Sequence, residues 1–405
     1  MKFIMVIADG MADYPVKDLG GKTPLQVADH PNMDKIVSKG VCGTLKTVPE
    51  GMEAATDVAV LSILGYDPEK YYVGRGSLEA ASLGISLEED DIAFRCNLIT
   101  EKNGILHDYS AGHIETEEAK NLIECVNGDL GVSGEIQFHS GVSYRHLLVF
   151  RGSHYSKEVK CSPPHDFVGS PIRELMVKPL GEEGEEMATL LNLMIMKSRE
   201  ILSIHPVNMK RVGRGEEPAN MIWPWSPGKT PNYSTLKEKF GVNGALISAV
   251  DVTKGIGIYA GMDVIGVPGA TGYIDTNYEG KAEYALKSLE DHDFVLIHVE
   301  APDEAGHMGD YNLKVKVIED LDKRLLGNIL DEVKGDFAIA ILPDHMTPVT
   351  IRAHTSDPVP FAIYSSISEK NSNITHFDET SVKRGLLKIR RGYRFLPLFL
   401  KYGRR

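Results

Sequence analysis

Four short apolar runs, each bordered by an acid or a histidine, constrain this chain more than any other feature. They are Phe3 to Ala8, Phe294 to Val299, Phe337 to Leu342 and Pro360 to Tyr364. Runs of this length and composition read as strands buried on both faces of a parallel sheet. Asp9 closes the first, Asp303-Glu-Ala-Gly-His307 and Asp344-His345 follow the next two, and His354 stands before the last. If all four are parallel strands, carboxylates and imidazoles gather at the carboxyl edge of one sheet, where an open α/β fold places its ligand site.

The mixture of side chains narrows the chemistry. Carboxylate and neutral imidazole suit borderline to hard divalent cations, and no cysteine in these stretches suggests a thiolate site. Two such ions ~3.5–4 Å apart can clamp the attacking and leaving oxygens of an in-line phosphoryl displacement. One Asp or His alone is more simply a cap, a turn residue or a satisfied core histidine. Their shared placement at strand ends is what favours a metal centre.

At 405 residues, two domains are expected. A net charge of −13 opposes nonspecific attraction to nucleic acid. Cys42, Cys96, Cys125 and Cys161 are scattered without a CxxC pair, which suits a reducing cytoplasm. No run approaches a membrane span, and the apolar opening stops at Asp9, too short for a secretion signal. The basic tail from Lys383 to Arg405 carries Leu386, Leu387, Phe395, Leu398, Phe399 and Leu400, a pattern of amphipathic segments docking on the body rather than of a nucleic-acid arm.

Along the chain, an α/β rhythm opens the sequence and resumes near Gly244. Ala245 to Val250 reads as a strand, Asn277 to Leu289 as a helix, and Leu313 to Val333 as a second helix before the strand at Phe337. Between them lies a block of different texture, with strand-like Ile92 to Ile99, Glu135 to Phe138 and Arg145 to Phe150. Met187 to Ile204 follows as a helix whose Met194 and Met196 read as core. The expected organisation is a main domain of residues 1–87 and 201–405, with a smaller α+β domain of residues 88–200 inserted through two crossings that could act as a hinge.

A phosphoryl-transfer centre needs an activated water or a protein oxygen that accepts the phosphoryl group. Thr56, in Glu53-Ala-Ala-Thr56-Asp57, stands before an apolar helical run, where a helix N-terminus favours an anion. On local sequence alone, capping by Thr56 or Asp57 is the simpler reading.

Larger motifs shift that balance. The ordered set Ala-Asp9-Gly, Ala-Thr56-Asp57-Val-Ala, Leu-Gly-Tyr-Asp67-Pro, Gly-Arg75-Gly-Ser-Leu-Glu79-Ala, Asp303-x-x-Gly-His307, Pro-Asp344-His345 and His354-Thr-Ser-Asp-Pro-Val-Pro360 resembles the cofactor-independent phosphoglycerate mutases. The likeness is to their shorter archaeal-type branch, within the alkaline phosphatase superfamily. It implies an alkaline-phosphatase-like, mostly parallel sheet flanked by helices and carrying an inserted α+β domain for substrate. It further implies two divalent ions, Mn²⁺ first with Zn²⁺, Co²⁺ or Mg²⁺ also compatible, and no bisphosphoglycerate. By motif, Asp9, Thr56, Asp344 and His345 would hold one ion, and Asp303, His307 and His354 the other. Thr56 takes the place of the phosphoryl-accepting hydroxyl, usually a serine.

A small phosphorylated acid needs cations, preferably arginines. Arg75, Arg145, Arg214 and Lys254 are the candidates, with Arg75 and Lys254 in the best-matching segments. His113 stands where many relatives carry arginine. The expected reaction is interconversion of 3-phosphoglycerate and 2-phosphoglycerate through a phosphothreonine, with domain closure excluding water. The departures at Thr56 and His113 leave a second expectation, a homoserine phosphotransferase of the same superfamily. Neither nucleic acid nor membrane is an expected partner, and the oligomeric state is open.

Overall fold

The computed structural model describes residues 1–370 and 373–404. The chain forms two compact units, Met1–Tyr72 with Asn232–Arg405, and Val73–Pro231.

The first unit is built on one sheet of eight strands. In chain order these are β1 Lys2–Ala8, β2 Val41–Leu45, β3 Gly244–Ile247, β4 Asp263–Val264, β5 Phe294–Val299, β6 Phe337–Leu342, β7 Val359–Ser365 and β8 Leu387–Ile389. Across the sheet they lie β4-β3-β5-β1-β6-β7-β2-β8. The register of the central pairs sets Ala8 opposite Val299 and Ile7 opposite Leu342, so β1, β5 and β6 all end at one edge. Their side chains are almost wholly buried, as expected for strands covered on both faces.

β7 departs from expectation, because it pairs antiparallel with both β6 and β2. The connection from β6 is a loop without the crossover helix that a parallel neighbour requires. The reversal brings the start of β7, and His354 before it, to the edge where the other three strands finish.

The expected strand from Ala245 ends at Ile247, and the helix expected from Asn277 runs Tyr278–Ser288, with the Asn277 side chain accepting from Gly280 N. The expected Leu313–Val333 helix is three segments. Tyr311–Asp320 leads through a π turn, Leu321–Leu326, into Gly327–Glu332. At that turn the buried Asp322 carboxylate accepts from the amides of Asn32 and Met33 at 3.1 and 2.8 Å, serving the first turn of helix Pro31–Lys39. In the tail, Phe395, Leu396, Phe399 and Leu400 of helix Phe395–Gly403 are buried, with Phe399 edge-on to Phe3 and Phe395 edge-on to Phe361. Leu386, by contrast, is 93% exposed.

The second unit has its own core around Phe94, Leu122, Phe150, Ile195 and Trp223. Ile92–Lys102 is its central strand, flanked antiparallel by Arg145–Phe150 and Met221–Gly228. Helices Thr116–Leu130 and Glu185–Ser203 contribute their apolar faces. The boundaries expected at 87/88 and 200/201 fall inside this unit. Helix Arg75–Ser82 packs on its sheet, residue 200 lies within helix Glu185–Ser203, and Met221–Gly228 is one of its strands. In the Gly-Arg-Gly motif at 74–76 both glycines are steric necessities. A Cβ on Gly76 would lie 1.9 Å from the Ala93 oxygen, and one on Gly74, at φ 94°, 2.0 Å from the Pro227 oxygen. Met194 is core, whereas Met196, two residues on and therefore across the helix, is 45% exposed. Among the described residues no helix is long and apolar enough to cross a membrane.

Candidate metal centre

The carboxyl edge of the first unit's sheet collects the acids and imidazoles. Asp9 follows β1, Glu300 and helix Ala301–Met308 follow β5, and Asp344 and His345 follow β6. Asp9, Asp344 and His345 have no solvent exposure, and Asp303 has 4%. His345 Nε2 lies 3.4 Å from carboxylate oxygens of both Asp9 and Asp344. Asp303 Oδ2 lies 3.2 Å from His307 Nε2, and its Oδ1 lies 3.4 Å from His354 Nε2. The His345 and His354 rings stack with centroids 3.9 Å apart. Six of the seven expected ligands therefore belong to one neighbourhood.

Thr56 is the first residue of helix Thr56–Ile63, preceded by Ala55 at the N-cap, and no side chain caps the helix. Its Oγ1 instead lies 3.3 Å from His345 Nε2 and 3.5 Å from Asp9 Oδ2. Asp57 is turned elsewhere, accepting from Val58 N and the Tyr72 hydroxyl.

The three histidines are oriented alike. Nδ1 of His307 faces the Arg352 carbonyl and Nδ1 of His354 the Ala54 carbonyl, each at 3.0 Å, while Nδ1 of His345 is 3.2 Å from Thr347 Oγ1. A carbonyl can only accept, so Nδ1 of His307 and His354 carries the proton. The Thr347 hydroxyl donates to Asp303, leaving its oxygen to accept from His345. Nε2 of each ring therefore points into the centre, and in the neutral ring it would offer its lone pair there, the arrangement of a histidine ligand fixed by its outer contacts.

Charge is equally uneven. Burial, then the neighbouring Asp344 and Asp303, push the Asp9 carboxyl well above its usual range. Burial and the neighbouring Asp303 and Glu304 do the same to Glu300. Burial alone would raise Asp303 too, but hydrogen bonding with His307 and His354 holds it well below. Asp9 Oδ1, Asp344 Oδ2, Glu300 Oε2 and both ring nitrogens of His298 are buried without a hydrogen-bond partner. The Nε2 atoms of His307 and His354 face one another at 2.9 Å. Crowded carboxylates, unpartnered buried oxygens and converging ring nitrogens are the donor set that divalent cations satisfy. Among the described residues three sets of converging ligand atoms stand out: Asp303, His345 and His354; Asp9, His298 and Asp344; and Asp9, Glu300 and Asp303.

His298 and Glu300 were not singled out in the sequence. The His-x-Glu immediately before Ala-Pro-Asp303 was the available signal, obscured because His298 falls inside an apolar strand.

Lys254 stands in helix Asp251–Tyr259, after β3 at the same sheet edge, 3.1 Å from Asp251 Oδ1. The other expected cations belong to the second unit. The Arg75 guanidinium lies 5.7 Å over the Trp225 ring, beside Arg95, 5.0 Å over the same ring and paired with Glu79 at 2.9 Å. Arg145 Nη1 donates to the Tyr144 hydroxyl at 3.2 Å. His113 has φ 50° and meets the Tyr109 and Tyr144 rings edge-on. Arg214 is held by Glu118 and Glu216 at 2.6 and 2.7 Å. It lines, with His113 and Arg211, a cavity of about 610 Å³ that also carries Glu115 and Glu217. Carboxylates there already neutralise the Arg214 charge, which disfavours it as an anion receptor. Arg95 escaped the sequence reading because a lone arginine in an apolar strand has no motif to mark it.

The family model for 2,3-bisphosphoglycerate-independent phosphoglycerate mutase matches residues 37–208. A Methanosarcina barkeri protein of that name is 49% identical over 404 residues, 99% of this chain and 100% of the relative. A Geobacter sulfurreducens relative, named a probable enzyme of the same kind, is 47% identical over 99% of this chain and 100% of its own. Among solved structures, a cofactor-independent phosphoglycerate mutase from Thermoplasma acidophilum superposes with a TM-score of 0.68 at 32% identity, covering 100% of both chains. A Pyrococcus horikoshii protein does so with a TM-score of 0.84 at 31% identity, over 100% of this chain and 97% of that one. Matched across nearly its whole length at close to half identity, the chain belongs to the 2,3-bisphosphoglycerate-independent phosphoglycerate mutase family.

Proposed function

We propose that the protein interconverts 3-phosphoglycerate and 2-phosphoglycerate without bisphosphoglycerate, through a phosphothreonine at Thr56. The observation that carries this reading is the Thr56 hydroxyl, uncommitted to capping, at a helix N-terminus and within 3.5 Å of both Asp9 and His345. Asp9, Thr56, Asp344 and His345 would hold one divalent ion, and Asp303, His307 and His354 a second. Mn²⁺ suits this mixture of oxygen and nitrogen donors. Bound there, the cations would acidify the threonine hydroxyl and neutralise charge on the phosphoryl oxygens.

In the forward direction Thr56 Oγ1 bonds to phosphorus while the bond from phosphorus to the glycerate 3-oxygen breaks, and the proton given up by the Thr56 hydroxyl passes to the departing oxygen. The glycerate 2-oxygen then bonds to the same phosphorus while the bond from phosphorus to Thr56 Oγ1 breaks, and the 2-hydroxyl proton passes to Thr56 Oγ1. The helix N-terminus favours the negative charge that accumulates beside Oγ1. Arg75, Arg145, His113 and Lys254 would bind the acid, with Arg95 beside Arg75. Arg214, already paired with two carboxylates, is left out of that role.

The test is an enolase-coupled assay on 3-phosphoglycerate with Mn²⁺, beside an assay for homoserine phosphorylation. Mutase turnover is expected, falling about 10³-fold or more in Thr56→Ala, and the phosphoryl group should be found on the peptide containing Thr56. A homoserine product without mutase turnover, or equal turnover in Thr56→Ala and the parent, overturns the proposal.

A further inference from the structure

We propose that His298 is an additional ligand of this centre, its Nε2 joining Asp9 and Asp344 on one cation, with Glu300 holding the proton on Nδ1. The inference rests on the two-cation reading above and adds to its seven ligands.

His298 sits in β5, the strand directly beside β1, in register with Ile7, and its side chain is entirely buried. Its Nε2 is 3.1 Å from Asp9 Oδ2, and the ligand atoms of Asp9, His298 and Asp344 all lie within 4.8 Å of one another. Despite that proximity neither ring nitrogen forms a hydrogen bond. Buried His30 and His146 each keep one nitrogen hydrogen-bonded, to the Leu25 carbonyl and the Gly141 amide, whereas His298 has both nitrogens unpartnered among the described residues. A ring close to two carboxylates but aligned with neither is placed as a co-ligand around a shared point.

The other nitrogen, Nδ1, faces Glu300 Oε2 at 3.7 Å, beyond hydrogen-bond length but near enough for the carboxylate to favour the proton there. Carboxylate, histidine and metal in series is the usual way a ligating imidazole is held in one tautomer. The backbone is held as well, because Lys281 Nζ donates to the His298 carbonyl at 3.0 Å. The strand is itself paired with β1 on one side and β3 on the other.

The experiment counts ions rather than turnover. Metal-free parent, His298→Gln and Glu300→Gln proteins are titrated with Mn²⁺, and free ion is read by electron paramagnetic resonance. The parent should bind two ions. His298→Gln should weaken one of them about 100-fold, and Glu300→Gln about 10-fold. Both affinities within threefold of the parent in a His298→Gln protein with the parent's circular dichroism overturn the inference. In case that variant does not fold, the parent is labelled with ¹⁵N-histidine and loaded with ¹¹³Cd²⁺. Four cadmium-coupled imidazole nitrogens are expected, and three, the number supplied by His307, His345 and His354, overturn the inference. A parent that binds no divalent ion removes the two-cation reading itself, before any variant is made.

Discussion

Lys314 offers the sharpest test of what holds the centre's loops in place. Its ammonium, without solvent exposure, donates to Asp13 Oδ2 and the Thr347 carbonyl, each at 2.8 Å, and reaches the Ala12 carbonyl at 3.4 Å. Asp13 in turn accepts from the Val349 amide. One buried pair therefore fastens the segment after β1 to the segment after β6, where Thr347 contacts Asp303 and His345. Lys314→Met preserves much of the volume but takes the countercharge from Asp13 and a donor from the Thr347 carbonyl. Breaking a buried pair from one side costs about 3–5 kcal/mol, or ~6–20 °C in melting temperature for a unit of this size. The Tyr14 and Val349 amides that still donate to Asp13 argue for the lower half of that range. The chain's two tryptophans, Trp223 and Trp225, both lie in the second unit, so their fluorescence does not follow the first. Calorimetry or far-ultraviolet circular dichroism resolves its transition. The double variant Lys314→Met with Asp13→Leu removes both charges and should be less destabilised than the sum of the single variants. A loss under about 1 kcal/mol in Lys314→Met, or strict additivity in the double variant, would refute the reasoning.

His30 gives the first unit a pH dependence of known sign. Burial opposes its protonation, but Asp34 at 3.2 Å and the Leu25 carbonyl at 2.8 Å prevail and raise the imidazole to about 9. The contribution is complete below the unfolded value near 6.5 and is lost as pH rises through about 9. It amounts to about 3 kcal/mol at most. Melting temperature should fall across that window in the parent and less steeply in His30→Gln; parallel curves count against the assignment. In the second unit, Gly76→Ala forces a methyl to 1.9 Å from a backbone oxygen. Tryptophan fluorescence should report a loss of about 1–3 kcal/mol, and an unchanged transition contradicts the packing described.

Much of this was legible because the informative residues occur at the ends of apolar runs. Asp9, Asp344 and His345 needed only a parallel sheet to bring them together. His354 arrives by another route, through an antiparallel β7 whose direction no apolar run encodes. His298 and Arg95 stayed hidden for the same reason as each other. Inside a strand, alternation decides which face a side chain takes, and a single polar residue there is silent until its neighbours across the sheet are known. The domain boundaries were misplaced because helix Arg75–Ser82 and strand Met221–Gly228 have α/β texture yet complete the second unit's layer.

The charge arrangement also dictates an order of events. Asp9, Asp303 and Asp344 are buried together with the partly exposed Glu300 beside them, and the buried ammoniums of Lys281 and Lys314 are already held, one by a backbone carbonyl and the other by Asp13. A phosphorylated acid carries further negative charge, so entry beside these carboxylates is repulsive until cations reverse the local sign. Mn²⁺ at 100 times its dissociation constant should stabilise the first unit by about 2.7 kcal/mol, a rise of ~5–10 °C. 3-Phosphoglycerate added to chelator-treated protein should give no shift, yet add to the rise once Mn²⁺ is present. Scanning calorimetry with each ligand alone and with both decides the matter. If the acid alone stabilises the metal-free protein as much as it does the loaded one, the carboxylates are not what bars it, and the argument from charge is wrong.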